Sequence, residues 1–467
     1  MNHSRMPLLD ALKKHKQKES VSFHVPGHKN GLLASWMDLS LDITELNGLD
    51  DLHAPEECIK ESEDLLSDLH HTVESKFLVN GSTVGNLTMI LGTLSKDDTV
   101  FVQRNCHKSV LNALKMAQVF PVFLTPDFDE HTQTAAQVSK QTLMEAYKKY
   151  PESKAVIFTY PTYYGITGSF QELAAVAKSH DSLVLVDEAH GAHFGVIEKE
   201  MPMSALELGA DIVVQSAHKM LPAMTMGAYL HIRSPRIDRT RIHFYLQALQ
   251  SSSPSYPIMA SLDYARSYFA SYTEKDHLYA MSVKKRVAQL LQLKGFTCIF
   301  VDDPYKLLVR ADGLTGYELQ HLLEAADIYI ELADPYQVLF IFPLLKAGEK
   351  LFEKKVVQQL STLPFKARKT SPSFAKNLPS DHVSTLVLPY NEHSCSKREA
   401  VFLKEAAGQI AAEMIIPYPP GIPLVMEGER ISNDHVERID WLISQGARFH
   451  GGEKLNEKKL VVFRKEN

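Results

Sequence analysis

Val213-Val214-Gln215-Ser216-Ala217-His218-Lys219 is an apolar, β-branched run that ends in a hydroxyl, an imidazole and a single lysine. Its composition reads as a buried strand opening at its carboxyl end into a loop. Ser216 and His218 can donate to an anion there, and Lys219 offers a nucleophilic amine. A solvated lysine in an ordinary loop has the same local sequence, so the rest of the chain has to decide. Upstream, Val184-Leu185-Val186-Asp187-Glu188-Ala189-His190 places an acid at the end of another very apolar strand. Asp187 is either a helix N-cap or a carboxylate facing a bound ring. Its position one strand–helix–strand unit before Lys219 favours the second.

Around these two stretches, apolar runs alternate with amphipathic ones from Lys76 to about Arg233. Strands are expected at Lys76–Val79, Thr99–Gln103, Val119–Leu124, Ala155–Thr159, Leu183–Asp187, Ile212–Gln215 and Gly227–Ile232. Helices are expected at Val84–Thr93, Ser109–Ala117, Ser139–Tyr150 and Phe170–His180. Buried strands separated by helices imply an α/β domain with a mainly parallel, seven-stranded sheet covered on both faces. In such sheets the working residues gather at the carboxyl ends of the strands.

Further motifs fall at those ends. Gly81-Ser82-Thr83-Val84-Gly85-Asn86 follows a strand and opens a helix, where free amides and two hydroxyls form an anion cradle. A plain N-cap with a turn glycine looks the same. Asn105-Cys106-His107-Lys108-Ser109 offers an imidazole that could stack on an aromatic cofactor while Ala189 packs on its other face, or a surface histidine. Pro161-Thr162-Tyr163-Tyr164-Gly165 offers hydroxyls, or simply a strand-to-turn exit. His24, His28 and His53 match no standard metal-ligand spacing, so no metal is expected. A lysine, an acid and a phosphate cradle at neighbouring strand ends are what an enzyme carrying pyridoxal phosphate on a lysine requires.

The rest of the chain frames that domain. Residues 1–54 read as a short helix over Pro7–Lys18 followed by an irregular arm, with Asp42–His53 expected to lie over another subunit or over the site. Residues 55–295 would form the large domain, opening with a helix over Pro55–His71 and ending in a long helical stretch after Ser251–Pro257. Residues 296–467 would form a smaller C-terminal α/β domain, with strands at Lys306–Arg310, Tyr329–Glu331 and Val338–Phe342, a helix at Tyr317–Ala326 and a linker near 366–383. Pro417–Pro423 is too proline-rich for helix or central strand.

At 467 residues, 45% hydrophobic and 23% charged, the chain has an ordinary globular composition. A net charge of −6 argues against nucleic acid or an anionic membrane as the main partner. The four scattered cysteines suggest reduced thiols. No signal-peptide core or membrane-length apolar run is present, so a cytoplasmic location is expected.

Together the motifs resemble the ornithine/lysine/arginine decarboxylases, a family of fold-type-I (aspartate aminotransferase-like) pyridoxal phosphate enzymes. The resemblance rests on the Pro26-Gly27-His28 arm, Gly81–Asn86, Arg104–Ser109, Asp187–His190, Ser216–Lys219, Ser253-Pro254-Ser255-Tyr256 and Pro417–Pro423. It is similar to the short form, which has no N-terminal wing domain. The resemblance implies that Lys219 carries the cofactor, that Asp187 partners its ring nitrogen and that His107 stacks on its ring. It implies Ser82, Thr83, Ser216 and His218 at the phosphate. It also implies that the turn holding Ser253 reaches a neighbouring subunit's cofactor, so that a homodimer or larger homo-oligomer shares its sites. His190 departs from long-form relatives, which often carry a larger aromatic residue there.

The expected reaction is decarboxylation of a basic L-amino acid, arginine favoured over lysine or ornithine, to the amine and CO2. The cationic end of such a substrate needs an acid, and Glu331, Asp334, Glu427 and Glu429 are candidates, Glu331 and Glu427 foremost. Each could equally be a solvated surface acid. Two other readings fit the same fold class: an aminotransferase or Cα–Cβ lyase, and a catalytically silent cofactor-binding regulatory protein.

Overall fold

A computed structural model describes residues 1–18, 26, 38–197, 200–363, 382–418 and 423–464. Most of the Pro26-Gly27-His28 arm, with His24 and His28, lies outside the described residues, as do nearly all of the expected linker and most of Pro417–Pro423. All seven expected strands form: β1 (Glu74–Leu78), β2 (Thr99–Gln103), β3 (Phe120–Leu124), β4 (Ala155–Thr159), β5 (Leu183–Asp187), β6 (Ile212–Gln215) and β7 (Ala228–Ile232). The helices that matter below are α1 (Pro7–Gln17), α2 (Cys58–Leu69), α3 (Gly81–Thr93), α4 (Lys108–Ala117), α5 (Lys140–Lys149), α6 (Phe170–Ser179), α7 (Ala217–Met220), α8 (Arg239–Leu249) and α9 (Tyr256–Ala270). An eighth strand, Val383–Thr385, was not foreseen; it pairs antiparallel with β3 just past the expected linker. The fold is α/β, with a mixed and mostly parallel large sheet of eight strands.

The chain divides by its packing into two units, residues 1–94 with 183–273, and residues 95–182 with 274–467. Four strands of the large sheet fall in each. In the first unit the order is β1-β7-β6-β5. Here β5 and β6 are parallel, with Asp187 opposite Val214. β7 runs antiparallel to both β6 and β1. The reversal follows from the short connection after β6: a single-turn α7 and a tight loop return the chain, whereas a parallel neighbour needs a crossover. The β5–β6 connection was expected to be helical. Its described residues instead form turns, several of them at glycines and prolines, so the strand–helix–strand expectation fails at this one crossover.

Helices cover this sheet with their apolar residues inward. β5 and β6 are buried along their whole length, as near-continuous Val/Leu/Ile runs require. The arm Asp42–His53 does not reach away for cover: Ile43, Leu49 and Leu52 are buried, and the Asp50 carboxylate caps α2 by accepting the amides of Glu56, Glu57, Ile59 and Lys60.

In the second unit the order is β4-β2-β3 and then Val383–Thr385, with β2 parallel to both β3 and β4. A separate four-stranded antiparallel sheet holds Phe296–Phe300, Lys306–Ala311, Val338–Ile341 and Leu332–Ala333. The last strand falls just past the expected Tyr329–Glu331. A three-stranded sheet and the helix Asn433–Ser444 complete the C-terminal part. Ile416–Tyr418 pairs only with Arg448–His450, which is the two-stranded edge setting that tolerates Pro417.

Candidate active site

In the first unit, the carboxyl ends of β5 and β6 bring the sequence motifs together. Asp187, 3% exposed, is held at both oxygens. Asn86 Nδ2 of α3 donates to Oδ2 at 2.8 Å, and the Ala189 amide donates to Oδ1 at 3.1 Å. A carboxylate fixed in this way has one orientation to present to a bound ring. Lys219, on α7 just beyond β6, places Nζ 2.9 Å from His190 Nε2, and His190 is itself buried.

The start of α3 supplies the anion cradle. Gly81 turns out of β1 with φ +74°, a left-handed conformation that glycine adopts without strain. No heavy atom would meet a Cβ placed there, so the space in front of the helix is open. Among the described residues no side chain caps α3, which leaves amides and the positive end of the helix dipole facing that space. Ser216 Oγ donates to Ser82 Oγ at 2.8 Å, placing one hydroxyl from each motif side by side. Thr83 is exposed next to them. His218 Nδ1 donates to the Gly227 carbonyl at 3.0 Å, so its hydrogen-bonding reach toward a ligand is through Nε2. Ala189 is buried at the β5 end. Ser253 is exposed on a turn fastened by the His53 ring, which donates to the Ser251 carbonyl at 2.8 Å.

The second unit carries the remaining motif residues. His107 is the N-cap of α4, its Nδ1 accepting the Ser109 amide at 3.2 Å and standing 2.8 Å from Ser109 Oγ. The hydrogen of a neutral ring is therefore on Nε2. Thr162 is buried in a turn closed by its hydroxyl, which accepts the Ile166 amide at 3.1 Å. The candidate substrate acids all have partners within this unit. Tyr163 donates to Glu331 at 2.6 Å and Tyr164 to Asp334 at 2.9 Å. Arg104 pairs with Glu429 at 2.8 Å. Glu427 accepts from Lys115 at 2.6 Å and Arg398 at 3.0 Å and lies 3.4 Å from His393. Despite its burial, the hydrogen bonds and charges of His393 and Lys115 hold it at about 2. Of the four, Glu331 alone is exposed, and its hydrogen bond is to a neutral phenol.

Two roles escaped the sequence reading. One is Asn86, whose place one helical turn after Ser82 is the signal the sequence carries. The other is Glu188, next to Asp187. It is fully buried and accepts from Ser204 Oγ, the Ala205 amide and Gln215 Nε2 at 2.9, 2.7 and 2.7 Å.

Residues 6–302 match the family model described as Orn/Lys/Arg decarboxylase, major domain, and residues 343–450 match its C-terminal domain. The chain is 44% identical to the uncharacterized protein YaaO of Bacillus subtilis over 98% of this chain and 99% of that one. It is 31% identical to an arginine decarboxylase of the same organism, over 100% and 99%. Among solved structures, the constitutive lysine decarboxylase of Escherichia coli superposes with a TM-score of 0.81 at 18% identity, over 99% of this chain and 82% of that one.

Proposed function

The chain belongs to the Orn/Lys/Arg decarboxylase family, and we propose that it acts on arginine ahead of lysine and ornithine. It is a decarboxylase of basic amino acids, and its cofactor is pyridoxal phosphate. The observation that carries the reading is the placement of Lys219 and a firmly held Asp187 at the ends of two paired parallel strands.

The residues present fit the cofactor: an uncapped helix start with adjacent hydroxyls suits its phosphate, and a buried carboxylate suits its ring nitrogen. Once bound, it supplies an electron sink for the pair left behind when CO2 departs. Ser82, Thr83, Ser216 and His218 hold the phosphate. Asp187 keeps a proton on the ring nitrogen, and Asn86 and the Ala189 amide keep Asp187 in place. Ala189 would pack against the ring, and the roles of His107 as a stacking imidazole and of Thr162 as a hydroxyl rest on their sequence motifs alone. His190 Nε2 would take a proton from Lys219 Nζ, leaving the amine neutral and nucleophilic, and would hand that proton back to Nζ for delivery to Cα. Ser253, exposed on its own chain, suits a contribution to the cofactor of a second copy in a homodimer.

For the far end of the substrate, Glu331 is the better candidate, because Glu427 is already surrounded by cations. Arginine is placed first because a 31% identical relative is named arginine decarboxylase. The match to the major domain ends at residue 302; a division near residue 295, with 1–54 as helix and arm, is kept as part of this proposal. Among the described residues no helix is long and apolar enough to cross a membrane.

The test is amine formation from arginine, lysine and ornithine, with Lys219→Ala alongside. The variant is expected to lose the visible absorbance of the loaded protein and roughly a thousandfold or more of kcat. Retention of that absorbance would assign the lysine wrongly, and inactivity on all three amino acids would overturn the substrate class.

A further inference from the structure

A line of buried side chains crosses the first unit's sheet from β5 to β1. Glu188, just past β5, accepts from Gln215 Nε2 at 2.7 Å. Gln215, the last residue of β6, faces His231 of β7 through Oε1 at 3.1 Å. His231 Nδ1 lies 2.8 Å from Ser75 Oγ of β1, and Thr72 Oγ1 lies 2.7 Å beyond. Glu188, Gln215 and His231 are completely buried, and Ser75 is 1% exposed.

The donors can be ordered. An amide oxygen only accepts, so His231 carries its hydrogen on Nε2. Its Nδ1 must then accept from Ser75, and Thr72 supplies the hydrogen to Ser75. Every bond therefore points the same way, toward the Glu188 carboxylate, and such chains polarise one another. Burial works against that charge and pushes Glu188 up to about 8, with Glu207 adding to the rise and the Ala205, Gln215 and Ser204 bonds opposing it. His70, 4.6 Å from His231, packs against the middle of the line.

Each end of this bond sits beside a residue of the site: Glu188 follows Asp187, and Gln215 precedes Ser216 on the way to Lys219. Glu188 also fastens the non-helical β5–β6 connection at Ser204 and Ala205. We propose that Glu188 is a positioning residue for the reaction. Its bond to Gln215 sets the spacing of Asp187 and Lys219, and the donor line back to Ser75 fixes which way Gln215 points. Without the Ser75 hydroxyl, His231 can change tautomer, Gln215 can turn its oxygen toward Glu188, and the two strand ends part.

This inference rests on the cofactor reading of Lys219 and Asp187. The experiment uses the holoenzyme of wild type, Ser75→Ala and Gln215→Leu, with Ser62→Ala as a control for lost buried hydroxyls off the line; Ser62 accepts the Leu8 amide at 3.3 Å. Ser75→Ala and Gln215→Leu are expected to lower kcat roughly tenfold with KM changed less than about twofold, the size seen when an outer-shell partner is lost. They should also shift the pH midpoint of the visible band, whereas Ser62→Ala lowers thermal stability only. Ser75→Ala removes one distal hydroxyl and carries the test if Gln215→Leu does not fold. A wild-type band with the same midpoint and kcat in Ser75→Ala overturns the positioning role alone. A wild type without a band overturns the cofactor reading and this inference with it.

Discussion

His70 stacks on Phe269 at 5.5 Å, and burial, followed by the charges of His71 and His3, pushes it down to about 4. The unfolded chain takes up a proton near the ordinary 6.5, so stability is complete above 6.5 and is lost as the pH falls from there toward 4. One pKa unit corresponds to about 1.4 kcal/mol, so the fall from 6.5 to about 4 contributes on the order of 3 kcal/mol to the acid loss. His70→Gln should flatten the decline in urea midpoint across that window; an unchanged slope would remove His70 as a cause. The same scale separates the candidate acids. Glu427, among Lys115, Arg398 and His393, has a structural occupation that its sequence neighbours did not announce. Glu331, bonded to Tyr163, retains an exposed carboxylate.

At the scale of elements, α3 is set on the sheet by the absence of side chains. A Cβ on Gly85 would stand 2.5 Å from Val214 Cγ1 and 2.8 Å from Leu78 Cδ1. Val214 is β-branched and stiff within β6, so the helix has to move instead. Gly85→Ala should cost about 1–3 kcal/mol, read from chemical denaturation, and disturb Asn86 on the next position. A Cβ on Gly92 meets chiefly the tip of Ile242, which can turn aside. The helix propensity of alanine, about 1 kcal/mol, should leave Gly92→Ala within about 1 kcal/mol of wild type. Equal costs at the two positions would contradict this packing. Helix α1 shows the complementary case of a helix that depends on another element. No residue of its own caps it. Asp263 of α9 accepts the Leu8 amide at 3.1 Å, and Arg266 holds Asp263 at 2.8 Å while reaching the His3 and Arg5 carbonyls.

For the whole molecule, a cofactor bound only by the folded chain stabilises it by mass action. At pyridoxal phosphate one hundredfold above its Kd the gain is about 2.7 kcal/mol. Stripping the cofactor should lower the urea midpoint accordingly, and Lys219→Ala should reduce the difference; identical midpoints with and without cofactor would mean that the folded site does not bind it. What the sequence determined by itself was whatever depends on neighbours along the chain. The apolar runs fixed seven strands and the α/β class, and hydroxyls, acid and lysine at their carboxyl ends named the site, because strand burial and strand-end chemistry are local signals. What only the tertiary structure decided were the partners drawn from distant positions: Asn86 on Asp187, His190 on Lys219, the donor line from Ser75 to Glu188, and the strand Val383–Thr385 on β3. Hydrogen bonds between residues of separate elements leave no periodicity in the chain, and only the folded sheet brings such groups within about 3 Å of each other.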